Sequence, residues 1–110
     1  MNRLVSIILI FFATPALAEQ NYIEFQYYTR QESELSSAAL EGYMYGVHWA
    51  NTLLWDSTGL RLYCQPEHLT VNIENLKGGM KLHVENNPEL ETAPLGEVVV
   101  AGLQLLFPCD

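Results

Sequence analysis

The sequence predicts a small all-α bundle of four helices, the first one short, closed by one disulfide. Three observations carry this expectation. Apolar residues recur at three- and four-residue steps through the middle and the last third of the 110-residue chain. Turn and breaker residues punctuate it at Asp56–Gly59, Gln65-Pro66 and Asn86–Pro88. Two cysteines, Cys64 and Cys109, are present and no others.

The N-terminus has the three parts of a cleavable export signal: positive Arg3, the apolar run Leu4 to Phe12 interrupted only by Ser6, and small residues in Ala16-Leu17-Ala18. Cleavage is expected after Ala18, leaving residues 19–110 as a single helical domain that works in the periplasm. The apolar stretch contains Pro15 and falls short of the roughly 20 residues that a spanning helix needs. No later segment is long enough to span, so no stable membrane insertion is expected once the signal is removed.

After the signal, the aromatic-rich stretch Tyr22 to Thr29 is short and is read as a helix. Leu35 to Trp55 is the clearest element, a long helix. Leu35, Ala39, Gly42, Tyr43, Gly46, Ala50, Leu53 and Leu54 mark its apolar, inward side. Gly42 and Gly46 lie four apart on that side. Each costs helix stability by about 1 kcal/mol against alanine, so close approach of another helix is the expected compensation. Asp56-Ser57-Thr58-Gly59 stops this helix.

Pro66 forces an extended connection, and Thr70 is the expected N-cap of a third helix over Val71 to Asn86. Val71, Leu76 (or Ile73), Met80 and Val84 share its inner side, and Gly78-Gly79 is a candidate kink. Asn86-Asn87-Pro88 ends it. Thr92 is the expected cap of the last helix, with Pro94 in the first turn. Leu95, Val98, Val99, Gly102, Leu105 and Leu106 form its inward face. Val98-Val99-Val100 has strand propensity, but the spacing and length of the whole segment favour helix.

In an oxidising compartment the two cysteines read as a structural bridge, and only one pairing exists. Closing a loop of roughly 45 residues stabilises by about 4 kcal/mol in the chain-entropy model. A metal pair or a redox pair would need close ligand spacing or C-x-x-C, and neither is present.

Thirteen acidic residues against five basic ones give a net charge of −8. Nucleic acid and anionic lipid are therefore poor partners, and a basic protein is a better one. No catalytic, cofactor or metal constellation is legible. His48, His68 and His83 lack the i, i+4 spacing of a helical zinc site and read as structural. Carboxylate pairs such as Glu85 with Glu89 read as a solvated face in so acidic a chain, and no serine sits in a nucleophile elbow. A non-enzymatic binding protein remains. Tyr45 and Trp49, four apart and off the most apolar side of the long helix, are the candidate binding residues.

Four segments stand in a recognisable order: Gly42-Tyr43-Met44-Tyr45-Gly46-Val47, Tyr63-Cys64-Gln65-Pro66, Asn87-Pro88, and Ala101 to Leu106 running into Phe107-Pro108-Cys109. Together they resemble the Rap/Tai family of immunity proteins, over about Leu40 to Cys109. The resemblance implies an exported helical domain, often homodimeric, that neutralises peptidoglycan amidases delivered by type VI secretion. It carries Cys64 and Cys109 over as a bridge and carries over no inhibitory residue. The alternative expectation is an exported helical binding or envelope-stress protein with no amidase partner.

Overall fold

The computed structural model describes residues 20–31 and 33–110; the expected signal and its cleavage point lie outside them. The described residues form four α-helices: α1 Tyr22–Gln31, α2 Ser33–Thr58, α3 Ile73–Asn86 and α4 Leu95–Leu106. A 3-10 turn, Pro88–Thr92, joins α3 to α4. Among the described residues no strand forms, and the one β-bridge pairs Asn21 with Pro94. The all-α bundle closed by one disulfide is the observed architecture.

Side-chain caps open α1 and α3, and backbone geometry sets several of the other helix ends. The Asn21 side chain accepts from the Glu24 N–H at 2.9 Å and opens α1. Helix α2 runs three residues past Trp55 to Thr58, and Gly59 after it, with a φ of 73°, completes a left-handed cap. The cap of α3 is Asn72, which accepts from the Asn75 N–H at 2.7 Å, and Thr70 lies outside the helix. Thr92 likewise caps nothing. It closes the 3-10 turn, and Pro94 occupies the cap position of α4 with no side-chain bond. Helix α3 passes through Gly78-Gly79 as one continuous helix.

The core gathers Tyr22 and Phe25 of α1, Leu40 of α2, Tyr63 and Val71 of the connection, Leu76, Met80 and Val84 of α3, and Leu95, Val98, Val99 and Leu103 of α4. Leu103 takes the inward place expected of Leu105, which is exposed. The tightest helix contact is between α3 and α4, where Gly79 and Gly102 lie face to face. A β-carbon on Gly79 would stand 3.0 Å from the Gly102 carbonyl oxygen.

Helix α2 is rotated relative to the sequence expectation. Its inner side is Ser36, Leu40, Tyr43, Met44, Val47 and Asn51, while Leu35, Ala39, Gly42, Gly46, Ala50 and Leu53 are exposed. Nothing approaches within 4 Å of a β-carbon built on Gly42 or Gly46. The glycine pair thus makes no intramolecular helix crossing. The reason is that α2 is apolar on both sides, so its periodicity does not by itself say which side packs.

Candidate functional site

The Cys64–Cys109 bridge, with 5.0 Å between its α-carbons, ties the connection after α2 to the end of α4. The Cys64 N–H donates to the Phe107 carbonyl at 2.9 Å beside it, and the Gln104 amide donates to the Leu62 carbonyl at 3.1 Å. Asn51 completes the clamp from α2. Its side-chain oxygen accepts from the Leu62 N–H at 2.6 Å, and its amide donates to the Tyr63 carbonyl at 3.0 Å. Tyr63 is thereby sunk into the core, where desolvation raises its pKa above the ordinary phenol value.

This clamped segment and α2 wall a groove with two chambers of about 240 and 190 Å³ that share His48, Tyr63 and Gln65. Trp55 and Arg61 close one end, with the guanidinium 3.7 Å from the centre of the indole ring. Met44, Tyr45 and Val71 line the other end.

Around the corner lies the outer side of α2. At about 100° per residue, Leu35, Ala38, Gly42, Trp49 and Leu53 fall opposite Leu40. Leu35, Trp49 and Leu53 are 66%, 63% and 66% exposed, and between Leu35 and Leu53 this side carries no charge. Glu34 and Glu41 flank it, and α2 contains no lysine or arginine. The side runs roughly 27 Å at 1.5 Å rise per residue.

The two candidate binding residues are both exposed but belong to different parts of this surface. Tyr45 lines the groove, whereas Trp49 stands on the outer side, its ring edge-on to His48 at 5.8 Å. The sequence reading missed His48, Trp55 and Arg61 as groove residues. Only the fold of the 60–67 segment onto α2 unites them. The other histidines lie apart: His68 is exposed in the turn after Pro66, and the His83 carbonyl accepts from the Asn87 backbone N–H and side-chain amide. Among the described residues, no three of His, Cys, Asp and Glu are placed to hold a metal ion. No helix of the described residues is long and apolar enough to cross a membrane.

Compared with protein-family models, curated proteins and solved structures, the chain gives no match. What the surface can do chemically therefore rests on its own geometry. It combines a long uncharged apolar strip, an aromatic-rimmed groove and acidic flanks, features that suit docking of another protein.

Proposed function

We propose that this chain is a periplasmic immunity protein that binds and occludes a peptidoglycan amidase. The observation that carries the binding role is the outer side of α2, where Leu35, Trp49 and Leu53 stand mostly in water over two open glycines. Large apolar side chains exposed on one uncharged side of a helix lose solvent favourably only when another surface covers them. The acidic flanks and the net charge of −8 favour a cationic partner and speed its encounter. The amidase identity rests on the sequence resemblance to Rap/Tai proteins and on the disulfide's fit to an oxidising compartment.

The test reads the neighbouring genes, where a peptidoglycan amidase is expected, and coexpresses that amidase with this chain in the periplasm. Rescue from lysis is expected, and Trp49→Glu is expected to abolish it while leaving the melting temperature within a degree or so. Absence of rescue by the wild-type chain would sink the amidase reading. Rescue that survives Trp49→Glu and Leu53→Glu together would move the docking surface elsewhere.

A further inference from the structure

The cleft between α1 and α3 gathers most of this acidic chain's positive charge. Five side chains of α1 line it, Tyr22, Phe25, Gln26, Thr29 and Arg30, and α3 adds Lys77 and Lys81. Four cations occur among the described residues, at Arg30, Arg61, Lys77 and Lys81, so three of the four converge here. No carboxylate is among its lining residues; Glu85 and Glu91 stand outside it, near enough to Tyr22 to add to the rise in pKa that burial causes. A merely solvated surface of this chain would present the opposite charge.

The cations are loosely held. Among the described residues no carboxylate lies within ion-pair distance of Arg30. Lys77 and Lys81 reach Glu74 and Glu85 at 3.9 and 4.0 Å, along their own helix and at exposed carboxylates. Such pairs contribute little and exchange readily with another anion. Further donors face the same space. The Tyr22 hydroxyl accepts from the Gln26 amide at 3.1 Å and keeps its own proton to donate, and the second N–H of that amide is unspent. Thr29 has committed its proton to the Phe25 carbonyl and can only accept.

Size selects among anions. The cleft holds about 220 Å³, room for several water molecules. A bare ion would leave most of it wet. Buried Phe25 and the Tyr22 ring offer apolar walls at its base. A carboxylate on a short alkyl stem satisfies both ends, with the stem on the rings and the oxygens among Arg30, Lys77 and Lys81.

We propose that the α1–α3 cleft is a binding site for an acidic peptide, taking a glutamate-type carboxylate and its stem. The site shares no residue with α2 and does not depend on the amidase reading; loss of rescue in coexpression leaves it standing.

The experiment titrates residues 19–110, with the disulfide intact, by two-dimensional NMR. The probes are acetyl-Glu-Ala-Glu-amide, its neutral counterpart acetyl-Gln-Ala-Gln-amide, and inorganic phosphate. Saturable shifts are expected with the acidic peptide at the Gln26 side-chain amide, Thr29, Lys77 and Lys81. They are expected to vanish in about 1 M salt, where the screening length is about 3 Å. Arg30→Gln with Lys81→Gln, at exposed positions, should keep the native spectrum and weaken binding at least tenfold. Equal shifts with the neutral peptide, no saturation, or unchanged affinity in the double variant would overturn the site. Phosphate binding as tightly as the acidic peptide would overturn the peptide assignment and leave a bare-anion site.

Discussion

Gly79 of α3 and Gly102 of α4 face each other so closely that neither has room for a methyl group. A β-carbon on Gly102 would stand 2.8 Å from the Met80 side chain and 3.1 Å from the Met80 backbone nitrogen. The two helices meet at backbone distance there, and the cost of glycine inside a helix is offset by that approach.

The first prediction contrasts the two glycine pairs. Gly102→Ala should destabilise by about 1–3 kcal/mol, because the added methyl meets both the side chain and the backbone of Met80. Gly42→Ala and Gly46→Ala should each stabilise by about 0.5–1 kcal/mol, because the methyl enters open space and raises helix propensity. Urea unfolding of the three variants checks the signs.

The two sides of α2 should differ as sharply. Leu40 is wholly buried and Leu53 is 66% exposed. Leu40→Ala is expected to cost about 2–5 kcal/mol, and Leu53→Ala less than about 0.5 kcal/mol. Reversed losses, large for Leu53→Ala and small for Leu40→Ala, would mean that α2 packs on the side the sequence pattern suggests.

Asn51 holds Leu62 and Tyr63 to α2 by both halves of its amide. Asn51→Leu removes both bonds and leaves two backbone groups to find water, at a cost of about 1–3 kcal/mol. Amide exchange at Leu62 should accelerate in the variant before exchange in α4 does.

Reduction of Cys64–Cys109, or Cys64→Ser, should lower stability by about 2–5 kcal/mol. The bridge closes 45 residues that include all of α3 and α4. An unchanged melting temperature in reductant would show that the hydrogen bonds around Phe107 suffice alone.

Alkaline pH should unfold the protein through its buried phenols. Burial raises the pKa of Tyr63, and burial first, with Glu85 and Glu91 adding, raises that of Tyr22 above the ordinary 10.0. The unfolded chain then loses those protons first, so stability holds below about pH 10 and falls as pH rises through the folded-state values. Tyr63→Phe and Tyr22→Phe should each flatten the fall, measured by chemical denaturation between pH 8 and 11.

Much of the framework is legible in the residues themselves. The spacing of Val71, Leu76, Met80 and Val84 leaves one mainly apolar side to offer the core, and in the last segment Leu95, Val98 and Val99 are buried as their spacing suggests. Caps were harder to read, because Thr70 and Asn72 are both good cap residues and the choice depends on where Val71 is buried. The Leu105–Leu103 exchange has a similar cause: α4 is apolar nearly all round.

By itself the sequence determined the helical class, the element order and the Cys64–Cys109 bridge, because each follows from local periodicity, turn chemistry or the presence of only two cysteines. Tertiary structure decided which side of α2 faces water, which glycines mark a helix crossing, and where Arg30, Lys77 and Lys81 meet. Those are properties of surfaces brought together. A helix apolar on two sides can bury either, and only the shapes of α1, α3 and α4 against it settle the choice.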